Sequence, residues 1–148
     1  MSDSLIIIPT FNEKENIEKI IHKVFSLEKL FHILIVDDGS PDGTAAIVKK
    51  LQSQFPNRLH IEEREGKLGL GTAYIHGFKW ALQRDYQFIF EMDADFSHNP
   101  DDLIRLYNAN LLEGGELAIG SRYVKGENIV NWPMSRLLMS FFASKYVK

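Results

Sequence analysis

The chain has 148 residues, no cysteine and a formal net charge of -3. That length suits one domain able to bury about two thirds of its unfolded surface. The absence of cysteine excludes a disulfide framework, a thiolate zinc site and a cysteine nucleophile, and the slight acidity leaves no basic field for gripping nucleic acid. Hydrophobic residues at 45% and charged residues at 25% are those of an ordinary globular protein, so any metal has to be held by oxygen or imidazole.

The opening MSDSLIIIPTFNE carries no basic leader, and its apolar run stops at Pro9. That is too short for a signal peptide or a membrane span, and a cytoplasmic location is expected. Residues 5–8 read as the first strand. Ile17, Ile20, Ile21, Val24 and Phe25 then recur at helical spacing, residues 33–36 form a second strand-like run, and Ile47, Val48, Leu51 and Phe55 give a second helical stripe. Residues 59–62 and 88–92 continue the strand series, and His76 falls in a helical segment between them. Asn99, Pro100, Asp101 and Asp102 read as an N-cap, a proline at the first helical position and acids in the first turn. Residues 117–119 are taken as a fifth strand. No repeat, low-complexity tract or linker intervenes, so residues 1–148 read as a single domain. Several strands are apolar without alternation, as strands buried on both faces are. Strand and helix in alternation predict an α/β fold, a mostly parallel sheet with helices on both faces and its crevice at the carboxyl ends of the strands.

This arrangement places the polar segments together. PTFNE follows the first strand, DDGSPDGT the second, DADFSHNP the fourth and GSRY the fifth. Asp93 and Asp95 at the end of an apolar run would repel each other unless something positive sat between them, such as a divalent cation or a helix N-terminus. Two carboxylates with few other ligands suit Mg²⁺ or Mn²⁺, which keep waters and take oxygens from a diphosphate. Helix capping by one acid is the plainer alternative. A calcium loop fits poorly, because His98 stands where the glycine belongs and Ile104 where the bidentate glutamate belongs. An aspartate-nucleophile phosphatase also matches the short pattern around Asp93 and Asp95. Asp37 and Asp38 can bind a ribose or base at the end of the second strand, or cap the turn that Gly39, Pro41, Asp42 and Gly43 form. GKLGLGT, residues 66–72, lacks the order of a phosphate loop and reads as a glycine-rich loop that lets backbone approach a ligand. The five histidines show no ligand spacing. Arg122 and Arg136 can be ordinary surface charges, the plainer reading of a lone arginine, but Arg122 closes a strand on the proposed rim and ranks above Arg136 as a phosphate contact.

With these residues assembled, the chain resembles the family 2 glycosyltransferases of the GT-A, Rossmann-like fold, and among them the polyprenyl (dolichyl) phosphate mannose synthases. PTFNE, VDDGSPDGT, KLGLGTAYIHG, MDADFSH, GSRY and WPMSR occur in the family's order over nearly the whole chain. The resemblance implies that Pro9, Phe11, Glu13, Val36 and Asp38 hold the nucleoside of GDP-mannose. It implies that Asp93, Ala94 and Asp95 hold Mg²⁺ or Mn²⁺ and the diphosphate, and that Arg122 and Arg136 meet phosphates of donor or acceptor. Phe11 stands in place of a more usual tyrosine, Ser97 where some members have glutamine, and Ser144 where asparagine is expected. The implied reaction is an inverting transfer of mannose to a polyprenyl phosphate. A UDP-sugar donor with another acceptor, and a binding-only module, are the alternatives. Family members run well beyond 148 residues, and the sequence stops within a helical pattern of Met134, Leu137, Leu138, Phe141 and Phe142. The chain therefore reads as truncated at its C-terminus. That stripe, with Arg136, Lys145 and Lys148 nearby, would either pack on the domain or lie at the cytoplasmic face of a membrane.

Overall fold

The computed structural model describes residues 2–120. Met1–Ala118 group into one compact unit; of a second, beginning at Ile119, only residues 119 and 120 are described. Arg122, Arg136, the segment around WPMSR and the helical pattern of residues 134–142 lie outside the described residues. In the first unit, strands and helices alternate as β1 (Ser4–Thr10), α1 (Ile17–Phe25), β2 (His32–Asp37), α2 (Thr44–Gln52), β3 (Leu59–Glu63), α3 (Leu70–Ala81), β4 (Phe88–Glu91) and α4 (Asp102–Glu113).

The four strands are all parallel, in the order β3-β2-β1-β4. Successive residues of a strand point to opposite faces, and here each face has its own helices. Ile6, Ile8, Ile33 and Ile35 pack with Ile17, Ile20, Ile21 and Val24 of α1, Val48 and Leu51 of α2 and Leu103 of α4. Leu5, Ile7, Leu34 and Val36 pack with Ala73 and Ala81 of α3. This two-sided burial is why β1 and β2 are apolar at consecutive positions, and each large side chain so buried contributes about 1.5–3 kcal/mol.

Small residues set the distance between α3 and the sheet. Ala73, Gly77 and Ala81 line its buried face at intervals of four, and a Cβ at Gly77 would stand 2.6 Å from Ile7 Cγ2 and 3.0 Å from Ile7 Cδ1. Ile7 is fully buried and β-branched, so it has no free rotamer to retreat into. Gly77→Ala is therefore expected to destabilise the fold. Overpacking costs about 1–3 kcal/mol against a gain of up to about 1 kcal/mol in helix propensity. Thermal denaturation checks this, and an unchanged or raised midpoint would contradict the packing.

At the amino end of the sheet, His32 Nδ1 lies 2.8 Å from the Tyr86 hydroxyl, and the His32 and His60 rings stand 6.0 Å apart. Burial, then repulsion from His60 and Arg58, holds His32 below the ordinary imidazole value; burial and Arg84 do the same to His60. The unfolded chain titrates near 6.5 and so binds more protons than the native one below that pH. The stability these two neutral rings confer is complete above about pH 6.5 and is lost as the pH falls through it toward their native values. Urea unfolding between pH 7.5 and 5 is expected to show a shallower loss for the His32→Gln/His60→Gln double variant than for the parent. Equal losses would show that the two rings do not carry it.

Two expectations are corrected. Residues 117–119 are not a strand: Leu117 and Ile119 are 77% and 78% exposed and pair with nothing among the described residues. A strand exists through its ladder, and three residues with no ladder partner among the described residues bury too little to form one. α4 begins two residues beyond Pro100. Asn99 Oδ1 accepts the Asp101 N–H at 3.1 Å, and the Asp102 and Leu103 N–H groups reach back to the Asn99 and Pro100 carbonyls at 3.0 and 3.2 Å. Asn99 thus caps a tight turn that leads into the helix.

Candidate active site

The register aligns the strand ends: Thr10 stands opposite Asp37, which stands opposite Glu63, while the Met92 N–H closes β4 against the Ile7 carbonyl at 3.2 Å. The loops after β1, β2 and β4 therefore leave the sheet on one edge, as expected. Between them lies a cavity of about 250 Å³. Pro9, Phe11 and Glu13 line it from the β1 loop, Asp38 from the β2 loop, and Asp93, Ala94 and Asp95 from the β4 loop; Lys67, Gly69, Leu70 and Ala73 close the remaining side. Val36 does not line it, since its side chain is buried beneath α3.

The β1 and β2 loops are stitched by three backbone donors. The N–H groups of Asn12, Glu13 and Lys14 donate to Ser40 Oγ, Thr44 Oγ1 and Asp42 Oδ2, each at 3.0 Å. Asn12 takes a left-handed φ of 62°, which asparagine tolerates and which turns Glu13 back toward Thr44. Asp42 also accepts the Thr44 N–H at 3.0 Å and its hydroxyl at 2.6 Å, tying the turn to the first residue of α2.

The adjacent acids Asp37 and Asp38 separate by role. Asp37 is 1% exposed and accepts the Thr10 hydroxyl at 2.8 Å, the Ser40 N–H at 2.9 Å and the Ser40 hydroxyl at 2.7 Å. It holds the turn. Asp38 lines the cavity, with Arg64 Nε donating to one carboxylate oxygen at 2.7 Å and the Leu68 N–H to the other at 3.1 Å.

Across the cavity, Asp93 Oδ1 accepts the Tyr74 hydroxyl at 3.1 Å, and the Asp93 N–H donates to His98 Nδ1 at 3.3 Å. Burial, then the charges of Asp93 and Glu91, pushes the Tyr74 hydroxyl far up, so it stays a donor to Asp93. At Asp95, partial burial opposes ionisation, but hydrogen bonds from Ser97, including its N–H at 2.9 Å, and the nearby His98 hold the carboxyl below the ordinary range. Phe96 turns the chain with a φ of 59° just after it. Among the described residues no cluster of three His, Asp or Glu could cage a metal. On the β4 side of the cavity the donor set is two hard carboxylates, Asp93 and Asp95. That suits a Mg²⁺ or Mn²⁺ ion completed by water and phosphate oxygens, and does not suit zinc or an all-protein calcium site.

Thr10, Arg64, Lys67 and Tyr74 were not singled out by sequence. Tyr74 faces Asp93 only because of the register of α3, and Arg64 meets Asp38 across 26 residues of chain, so no local pattern announces either.

The sequence profile of glycosyl transferase family 2 matches residues 5–147. The chain belongs to that family. Among its family 2 relatives, it is 50% identical over 143 residues to the polyprenol monophosphomannose synthase of Mycolicibacterium smegmatis, covering 97% of this chain and 54% of that protein. It is 43% identical over 142 residues to the undecaprenyl-phosphate mannosyltransferase of Micrococcus luteus, covering 96% and 57%. With the dolichol-phosphate mannosyltransferase of Pyrococcus furiosus it shares 40% over 137 residues, covering 91% and 37%. The chain thus spans roughly half the length of the first two relatives and less of the third. Its fold is also that of S. aureus TarS residues 1–349, at a TM-score of 0.63 and 20% identity over 84% of this chain and 40% of that one. The Pyrobaculum calidifontis mannosyltransferase PcManGT in complex with GDP-Man and Mn²⁺ matches at 0.50 and 23% over 53% and 24%. The GT-A-type α/β fold is therefore present, and family membership sets the phosphatase alternative aside.

Proposed function

We propose that the chain carries the donor site of a metal-dependent, inverting glycosyltransferase that moves mannose from GDP-mannose to a polyprenyl phosphate, with residues 1–148 acting as one catalytic domain. The observation that carries this reading is the convergence of Asp38, Asp93 and Asp95 on one cavity, in a chain so similar to polyprenyl-phosphate mannosyltransferases.

In this reading Pro9, Phe11, Glu13 and Asp38 take the nucleoside, Phe11 offering a ring face for the base. Val36 contributes only through the strand that positions Asp38. Asp93 and Asp95 would hold Mg²⁺ or Mn²⁺ over the diphosphate, with Ala94 between them leaving room. When bound, such a cation neutralises charge developing on the leaving nucleoside diphosphate. Arg122 and Arg136 are assigned to phosphates of donor or acceptor. The acceptor phosphate has a second pKa of about 6 and is already largely ionised at neutral pH. It can attack the anomeric carbon from the face opposite the diphosphate, inverting its configuration, without a protein base. The chain's part is then to bind and align two anionic partners. No helix among the described residues is long and apolar enough to cross a membrane; we place the enzyme on the cytoplasmic face of the membrane that carries its acceptor.

The experiment is incubation of the natural-length protein with GDP-mannose, polyprenyl phosphate and Mg²⁺ or Mn²⁺, followed by mass analysis of the lipid. A hexose added to the lipid phosphate is expected. An unchanged lipid, with hexose transferred instead from a UDP-sugar to another acceptor, would replace this reading.

A further inference from the structure

Arg64 stands outside every segment that carries the family resemblance and does not line the cavity, yet its guanidinium gathers three groups around it. Nε donates to Asp38 Oδ1 at 2.7 Å, Nη1 to Thr72 Oγ1 at 2.9 Å and Nη2 to the Gly69 carbonyl at 3.3 Å. Its own N–H donates to the Asp37 carbonyl at 2.8 Å, which fixes its backbone alongside the end of β2. Only 8% of the side chain is exposed. Asp38 completes the circuit, since its second oxygen accepts the Leu68 N–H at 3.1 Å. Thr72 adds a further closure by donating its hydroxyl to the Gly69 carbonyl at 2.7 Å.

The segment between β3 and α3 is thus folded around one guanidinium. Gly69 enters α3 with a φ of 99°, a conformation that a side chain would oppose. Lys67, Gly69 and Leu70 face the cavity, and Lys67 Nζ lies 4.8 Å from the Phe11 ring centroid. Leu68 and Leu70 are largely exposed. A planar fork with donors in several directions can bridge a carboxylate, a hydroxyl and a carbonyl at once; a lysine ammonium on a flexible stem cannot reproduce that geometry.

We infer that Arg64 is a positioning residue: it fixes the Asp38 carboxylate and the Lys67–Leu70 wall in one arrangement, so that the nucleoside end of the donor meets a preformed surface. This rests on the reading of the cavity as the donor site. If the wall occupies that arrangement only a fraction of the time, the apparent donor affinity falls by that fraction. Asp93 and Asp95 lie in the loop after β4, and the Arg64 guanidinium bonds to neither, so donor KM moves while kcat stays nearly constant.

The test uses the natural-length protein with Arg64→Lys and Thr72→Val, read in two ways. Without ligand, the Leu68 amide is expected to lose nearly all its protection from hydrogen exchange in Arg64→Lys, quickening at least about tenfold, and less in Thr72→Val, because a wall ordered only about a tenth of the time shields it hardly at all. With GDP-mannose, donor KM is expected to rise about tenfold in Arg64→Lys, with kcat within about twofold. Unchanged Leu68 exchange overturns the inference, as does faster exchange with an unchanged donor KM. If the parent protein neither binds nor turns over GDP-mannose, the donor reading fails by itself. The exchange result alone then decides whether Arg64 holds the wall.

Discussion

Asp95→Asn and Asp93→Asn are each expected to lower metal-dependent transfer by the natural-length protein by about 10²–10³-fold, because each removes a charge from a two-carboxylate donor set. Metal-assisted stabilisation of a leaving group is worth several kcal/mol, and each 1.4 kcal/mol is tenfold in rate. Asparagine preserves volume and the Ser97 N–H contact at Asp95, so the fold is expected to survive. At Asp93 the Tyr74 hydroxyl keeps an acceptor. The loss is therefore predicted in transfer and not in thermal stability, and the steady-state rate at saturating donor is the measurement. A double variant that transfers as fast as the parent would remove these carboxylates from the mechanism.

The second large effect falls on stability. Asp37→Ala is expected to lower unfolding free energy by about 2–4 kcal/mol, measured by urea denaturation. Three charge-assisted hydrogen bonds disappear at once; the buried Thr10 hydroxyl and the half-buried Ser40 N–H lose their acceptor. Hydrogen bonds to a charged group contribute about 1.5–3 kcal/mol each, but neighbours in one network do not add. Because those bonds join the end of β1 to the β2 turn, the loss reaches the wall that carries Phe11 and Glu13. A cost below about 0.5 kcal/mol would mean that Asp37 does not hold the turn.

These two aspartates also mark the limit of what was legible in the sequence. β1 and β2 could be read because a strand covered on both faces must be apolar at consecutive positions, and α1 because Ile17, Ile20, Ile21 and Val24 share one face. The order of the loops followed from parallel topology, which requires every loop that follows a strand to leave on one edge. Asp37 and Asp38 are chemically alike and adjacent, yet the backbone turn at the strand end sends one to Ser40 and the other to Arg64. That division depends on where Thr10 and Arg64 lie in space. α3 was hidden at its start because Gly69 and Gly71 imitate a loop, although Ala73, Gly77 and Ala81 are small so that the helix can approach Ile7. Residues 117–119 misled in the opposite sense: their composition is that of a strand, but no ladder partner stands beside them among the described residues. Arg64 and Tyr74 could not be read at all, since each acts on a residue brought near only by the fold.

The central claim is that acids from separate loops meet at one edge of the sheet, Asp93 and Asp95 to hold a cation against the diphosphate and Asp38 to take the nucleoside. Electron paramagnetic resonance of Mn²⁺ titrated with the protein tests it directly, because free and bound ion are distinguished without any need for turnover. The account predicts weak binding of Mn²⁺ alone, tight binding when GDP is added, and loss of that enhancement in Asp93→Asn/Asp95→Asn. Equal Mn²⁺ binding by the parent and the double variant in the presence of GDP would contradict it.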